Sequence, residues 1–475
     1  MHRQIWLMSE KLPPRATAIL RRDFLRLGAA GLSLPGMLAA RGSVRPSGAN
    51  GGFGRAKSCI VLFAWGGMSH FETLDPKPEA PSEIRGTFLP IRTSADGVRF
   101  SEHLPRLARH AHQMAVVRSV SHNAPGHRPA AYWNLTGHEP RELNANWAVT
   151  RRDWPSLGSM VSASLLAHRP DPRSHPALPR AVALPYEMAD GGKANGQDGG
   201  FLGNAHDPVI VRPKQGREYG GVSPVSGRIE LELPPGVATE RVRERRGLVD
   251  ALNPVADAGS DVSVASQIHA REQALDMLLS DRVRDAFDLD RETAATHARY
   301  GDHICGQSTL LARRLVEAGV PIATVYCAAG DLNGSVGDHF DTHADNFNRL
   351  KDKMLPPLDQ ASAALLSDLE ERGLLDETLV VWLTEFGRTP KINPGAGRDH
   401  YPNCYSVAFA GGGIRGGQVY GSSNKLGAEP ASSPCGPPDL HATIFHALGI
   451  PPNHPIQHLD GRVLPISEGA PLPLF

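Results

Sequence analysis

The apolar positions of this chain fall into short continuous runs, separated by longer stretches in which they recur at helical intervals. Ser58 to Ala64 (SCIVLFA), Met114 to Arg118, Ile322 to Cys327 (IATVYC), Val380 to Leu383 (VVWL) and Tyr405 to Ala410 (YSVAFA) are the runs. Such length without polar alternation predicts strands buried on both faces, as in a parallel sheet. Helical spacing covers Pro155 to His168, Cys305 to Glu317 and the stretch from Pro357 to Leu369, with Gly319 and Gly373 closing the last two. Weaker helical patterns run from His103 to Ala111, Ala130 to Gly137, Val262 to Leu279 and Asp439 to Leu448. Strands alternating with helices predict an α/β sandwich with a largely parallel central sheet and helices on both faces. Residues 185–235, rich in Gly and Pro, read as a long insertion covering one face of that sheet.

Composition narrows the partners. Lys plus Arg and Asp plus Glu balance at 50 each over 475 residues, and no basic tract lies beyond the N-terminus, which argues against nucleic acid. Five cysteines without a CxxC pair give neither a zinc ribbon nor a disulfide framework. Arg21-Arg22-Asp23-Phe24-Leu25-Arg26 precedes a weakly apolar stretch, LGAAGLSLPGMLAA, too short to span a bilayer and interrupted by Pro35. Paired arginines before such a stretch resemble a twin-arginine export signal, so the twin-arginine translocase is an expected partner and the periplasm or cell envelope the expected location. The domain plan is a signal at 1–40, a linker at 41–56, one α/β domain at 57–466 that carries the insertion, and a tail at 467–475. An uncleaved signal would leave a membrane anchor; otherwise no stable span is expected.

Chemistry-bearing residues gather just after the expected strands, where open α/β sheets place their sites. The first strand runs into Trp65-Gly66-Gly67-Met68-Ser69-His70, with glycines that permit close backbone approach. After Ile322 to Cys327 come Asp338, His339, Asp341, His343 and Asp345. Carboxylates and imidazoles at that density suit a divalent cation, and Asp341 and His343 share one face of an extended segment. A solvated polar loop would look the same. VVWLTEFGRTP (380–390) brings Glu385 and Arg388 to the same edge, with Asp399-His400 close behind. Glu385 could ligate or support an ion and Arg388 could clamp an oxyanion, or the two could simply pair. His122 and His127 precede a helix start, where anions are favoured.

The blocks GGMSHFETLDPKP (66–78), HNAPGHRPAAYWNLTGHEP (122–140), DWPSLGS (153–159), DTHADNF (341–347), TEFGRTPKIN (384–393), GRDHYP (397–402) and DLHATIFHALG (439–449) resemble the DUF1501 family, a domain of unknown function common in exported bacterial proteins. The resemblance runs from Lys57 to about Ile466 and implies an alkaline-phosphatase-like fold. VVWLTEFG is similar to the sulfatase strand VVFTSDxG, which puts Glu385 where a metal-binding Asp stands, and LTGHEP is similar to the sulfatase LTGRYP. Sulfatases need a Cys or Ser in a CxPSR-like motif, and the matching position here is near His127. His122 to Leu135 contains no Cys, Ser or Thr, so formylglycine chemistry is excluded, and Ser69 and Thr73 are the hydroxyls that could substitute.

Together these readings predict a metal-dependent hydrolase of phosphate or sulfate esters, on a small-molecule or polysaccharide substrate. Asp341, His343, Glu385, Asp399 and His400 are the expected metal residues, for zinc, manganese or calcium. His127, Arg388 and His70 are the expected catalytic residues, and water is the expected nucleophile. The alternative is a catalytically degenerate relative that binds polysaccharide or an envelope partner.

Overall fold

Alternate residues of a strand face opposite sides, and the first strand, β1 (Ser58–Ala64), separates two apolar layers in this way. Ile60, Leu62 and Ala64 pack with Leu310, Leu311 and Leu315 of helix α3 and with Leu358, Leu365 and Leu369 of helix α4. Cys59, Val61 and Phe63 pack on the other side with Leu135 of α1, Met160 and Val161 of α2, and Ile444 and Phe445 of α5. These helices span His127–Thr136 (α1), Leu157–His168 (α2), Ile304–Ala318 (α3), Leu355–Glu371 (α4) and Pro437–Ala447 (α5). The computed structural model describes residues 51–168, 177–211, 239–252, 274–328, 330–333 and 339–475. The expected export signal, most of the linker, residues 212–235 of the expected insertion, Asp338 and the start of the Val262 run lie outside them.

The remaining strands of the central sheet are β2 (Met114–Val120), β3 (Ala181–Leu184), β4 (Val209–Ile210), β5 (Ile322–Cys327), β6 (Thr378–Leu383), β7 (Tyr405–Ala410) and β8 (Gln418–Tyr420). Their spatial order is β8-β2-β7-β6-β1-β5-β3-β4. All run the same way except β7, which pairs antiparallel with β2 and β6. The fold is therefore α/β with a mostly parallel sheet of eight strands and helices on both faces. Among the described residues no helix is long and apolar enough to cross a membrane.

Several elements differ from the sequence expectation, which singled out neither β3 nor β8. The stretch from His103 forms only a 3-10 turn, Leu107–Gln113, because Asp359 of α4 accepts the Arg106 and Leu107 amides at 3.0 and 2.7 Å and caps it from outside. Within the expected insertion, Val209–Ile210 pairs beside β3 and extends the sheet edge. A two-residue apolar pair is too short to stand out in a Gly/Pro-rich stretch. All five cysteines are buried and free, with Cys305 Sγ and Cys327 Sγ facing each other at 3.4 Å.

Candidate metal centre

Strands β1, β2, β5 and β6 all end at one edge of the sheet, and the reversed β7 begins there. The pairings Phe63 with Leu383, Ala64 with Cys327 and Val120 with Tyr405 align these ends. Five segments therefore meet: Trp65–Gly67, Ser121–His127, the loop carrying Asp341 and His343, Thr384–Arg388, and His400 just ahead of β7. His400–Tyr401 is fastened to Gly387–Arg388 as a two-stranded antiparallel ribbon. The Asp341 loop is stitched to residues 393–399 by Asn393 Nδ2 donating to His343 O at 2.9 Å and Arg398 N to Thr342 O at 3.0 Å.

At the meeting point Asp341 Oδ1 is ringed by three imidazole nitrogens, His343 Nε2 at 3.1 Å, His400 Nε2 at 3.3 Å and His127 Nε2 at 3.4 Å. His343 Nε2 and His400 Nε2 stand 3.0 Å apart. Each ring's other nitrogen faces an acceptor: His127 Nδ1 donates to Glu385 Oε1 at 2.8 Å, His343 Nδ1 to Asp399 Oδ1 at 2.7 Å, and His400 Nδ1 to Pro125 O at 2.9 Å. A carbonyl or carboxylate can only accept, so this network assigns the protons to Nδ1 and leaves the Nε2 lone pairs aimed inward. His127 Nε2 is buried without a hydrogen-bond partner. Ligand atoms of His127, Asp341 and His400 all lie within 4.8 Å of one another, a possible metal site. Lone pairs and a carboxylate oxygen in such contact need a cation between them, so these residues fit a divalent ion.

The electrostatics agree with that geometry. Burial works to raise the Asp341 carboxyl, yet the close contacts with His127, His343 and His400 and the Arg388 charge hold it far below the carboxylate range. Burial opposes charge on His127, but the close Asp341 carboxylate and the hydrogen bond with Glu385 outweigh it and raise the ring's pKa. His343 is raised chiefly by its hydrogen bond with Asp341, against burial and with help from Asp399. Burial lowers His400 to about 4, Asp341 opposing. Without an ion the cluster thus draws protons into the space between these atoms, the space a metal would take with proton release.

The rest of the edge holds this cluster in place. Glu385 is wholly buried; its Oε1 also accepts the Gly66 amide at 2.9 Å, and its carbonyl accepts from His122 Nε2 at 2.7 Å and Asn134 Nδ2 at 2.9 Å. Glu385 and Asp399, expected among the metal residues, thus stand behind His127 and His343 respectively. Arg388, expected as an oxyanion clamp, turns inward: Nη2 meets Asp341 Oδ1 at 2.7 Å and the Gly66 carbonyl, Nε meets Gly67 O at 2.8 Å, and Nη1 meets Arg398 O at 3.1 Å. His70, expected to be catalytic, is buried with Nε2 2.9 Å from Gly427 O and its ring against Phe71; burial lowers its pKa to about 4. Ser69 and Thr73 are buried, with Thr73 Oγ1 donating to Ser69 O at 2.6 Å.

Sequence reading gave no role to the buried pair Glu72 and Arg398, 2.6 Å apart, or to the Pro125 carbonyl. Arg398 beside Asp399-His400 was a visible signal; a carbonyl's role leaves no mark in a sequence. Exposure grades outward from His127 and Glu385 to His343 and Asp399, whose side chains are 46% and 53% exposed, so the cluster opens on that side.

Residues 56–472 match the family described as a protein of unknown function, DUF1501. The chain belongs to the DUF1501 family. None of the curated proteins matches this DUF1501 chain. Among solved structures it is similar to Ps i-CgsB, also solved in complex with k-i-k-neocarrahexaose, at 11% identity and TM-score 0.38, covering 82% of this chain and 72% of that one. It is similar to a lipoteichoic acid synthase from Listeria monocytogenes at 10% identity and TM-score 0.34, covering 86% and 76%. A protein in the alkaline phosphatase superfamily from Vibrio parahaemolyticus is similar at 10% identity and TM-score 0.36, covering 84% and 69%. Likeness at this distance carries no chemistry, which has to be argued from the DUF1501 site itself.

Proposed function

We propose that this DUF1501 protein is an exported, metal-dependent hydrolase of phosphate or sulfate esters. The observation that carries the reading is the convergence of Asp341 Oδ1 with three imidazole Nε2 atoms at 3.1 to 3.4 Å. A divalent ion bound there supplies Lewis acidity, polarising an ester oxygen and making water a nucleophile at neutral pH.

The protein's own residues do the remaining work. Glu385, Asp399 and Pro125 O fix the three rings so that their Nε2 lone pairs converge. Arg388 fixes the Asp341 carboxylate and balances its charge in a buried setting. Trp65 and Phe386 wall the inner side, their rings 5.4 and 5.0 Å from that of His127, and keep water off the deep face. An ester would enter at the exposed His343 and Asp399 side. A water nucleophile agrees with the segment from His122 to Leu135, which offers no hydroxyl or thiol beyond the Tyr132 phenol.

The test is turnover of nitrophenyl phosphate, phosphodiester and sulfate esters with added zinc, manganese or calcium. Hydrolysis that is abolished by chelation and by Asp341→Ala is expected. Metal binding with no turnover of any ester would leave the catalytic reading without support and favour a binding role toward an envelope polysaccharide. The export part is tested separately: Arg21→Lys with Arg22→Lys should retain the chain in the cytoplasm, read by cell fractionation.

A further inference from the structure

We infer that the cluster takes a single transition-metal ion of the zinc type, with His343 as fourth ligand beside His127, Asp341 and His400, and that Arg388 occupies the place of any second cation. This rests on the metal reading above and makes it specific.

The argument begins with distances. Two ligands on one ion at about 2.0–2.1 Å lie about 2.9 Å apart at a right angle and about 3.3 Å apart at the tetrahedral angle. Four of the six separations among these atoms, 3.0, 3.1, 3.3 and 3.4 Å, fall in or beside that interval, and His127 and His400 lie within 4.8 Å of each other. His343 contributes the two shortest, to Asp341 and His400, while the group in which every ligand atom lies within 4.8 Å of every other is His127, Asp341 and His400; His343 is therefore the ligand the test has to decide. Its ring is also oriented as a ligand's would be, since Asp399 Oδ1 accepts a hydrogen bond from its Nδ1 at 2.7 Å.

Ligand chemistry then selects the ion. Calcium takes six to eight oxygens, and magnesium keeps an octahedron of oxygens and waters. Three imidazoles and one carboxylate suit zinc and its late first-row neighbours. Among the described residues the only carboxylate oxygens around the Nε2 face belong to Asp341; Glu385 and Asp399 lie on the Nδ1 side of their histidines.

Charge limits the number of ions. A second dication sharing Asp341 would have to lie beside Arg388, whose guanidinium is wholly buried, 2.7 Å from Oδ1, and held by the Gly67 and Arg398 carbonyls at 2.8 and 3.1 Å. It cannot swing away without abandoning those carbonyls in the interior. One dication and one fixed guanidinium therefore share this carboxylate.

The test uses the full chain stripped of metal and reloaded. Cobalt should bind at one equivalent with the intense visible bands of a four- or five-coordinate site, and zinc should displace it while excess calcium does not. His343→Ala, at an exposed position outside the apolar core, should weaken cobalt affinity at least 10-fold and change the spectrum, and Asp399→Asn should weaken it about 10- to 100-fold. Two equivalents, displacement by calcium, weak octahedral bands, or an unaffected His343→Ala would overturn this inference and leave the wider metal reading standing. Failure to bind zinc, cobalt, manganese or calcium at all would overturn both.

Discussion

At Gly66 the chain bends with φ of +108°, and a Cβ there would lie 2.4 Å from the Asp341 amide nitrogen and 2.8 Å from that of Phe340. The neighbours are backbone atoms and cannot yield, so Gly66→Ala should both strain the bend and push Asp341 out of the cluster. A loss of about 1–3 kcal/mol in unfolding free energy is expected together with weakened metal binding. Gly373 is the control: its φ is +67° but nothing lies within 4 Å, so Gly373→Ala should lower stability by about 1 kcal/mol and leave metal binding unchanged. Denaturant unfolding and metal titration on the two variants separate these outcomes. Glu385→Gln keeps the size of the side chain but loses the carboxylate that accepts the His127 Nδ1 hydrogen bond, and it should cost about 10- to 100-fold in metal affinity. Glu385 was visible in the sequence because a carboxylate directly follows an apolar strand with no turn residue between. The sequence left open whether it ligates or supports an ion, since the order ligand to supporting acceptor is set in three dimensions.

The elements were legible wherever burial is two-sided or amphipathicity is strong. β1, β5, β6 and β7 lie under uninterrupted apolar runs, and α3 and α4 under clear helical stripes bounded by Gly and Pro. β4 and the turn at Leu107 were not, because both owe their form to distant partners, β3 and Asp359. The bond between α3 and α4 was equally hidden. Arg313 of α3 is wholly buried and meets Glu292 at 2.7 Å, Glu317 at 2.6 Å and Asp368 of α4 at 2.8 Å, and the Tyr300 hydroxyl donates to Asp368 at 3.0 Å. Burial works to raise the Asp368 carboxyl, but the Arg372 hydrogen bond and the Arg313 charge hold it below its usual value. A depressed carboxyl contributes stability that is complete above the unfolded pKa, about 4, and is lost as pH falls through the folded value. Asp368→Asn should therefore flatten the acid limb of the stability curve below about pH 4. At neutral pH it should cost about 3–5 kcal/mol, because Arg313 stays buried with less countercharge. Unchanged acid sensitivity in equilibrium unfolding at several pH values would count against this network.

Across the whole molecule, the sheet's edge gathers residues from positions 127, 341, 343 and 400, segments that the sequence keeps far apart. Sequence spacing could propose that these side chains share a site, since each follows a strand; only the strand order, with β7 reversed between β2 and β6, determines that they meet. One consequence follows for stability. An ion held by all four would bind the folded chain and not the unfolded one, adding a tie between the start of α1, the loop after β5 and the ribbon before β7. At a free metal concentration 100 times the dissociation constant, that linkage adds about 2.7 kcal/mol to the unfolding free energy. Zinc should therefore raise the melting temperature of stripped protein by a few degrees, and chelation should reverse the shift. Asp341→Ala should abolish the dependence: its melting temperature, whatever its own value, should be the same with zinc as with chelator. A wild-type melting temperature indifferent to zinc across that concentration range would mean the four side chains do not close on an ion, and the protons that fill the gap in its absence would be their resting state.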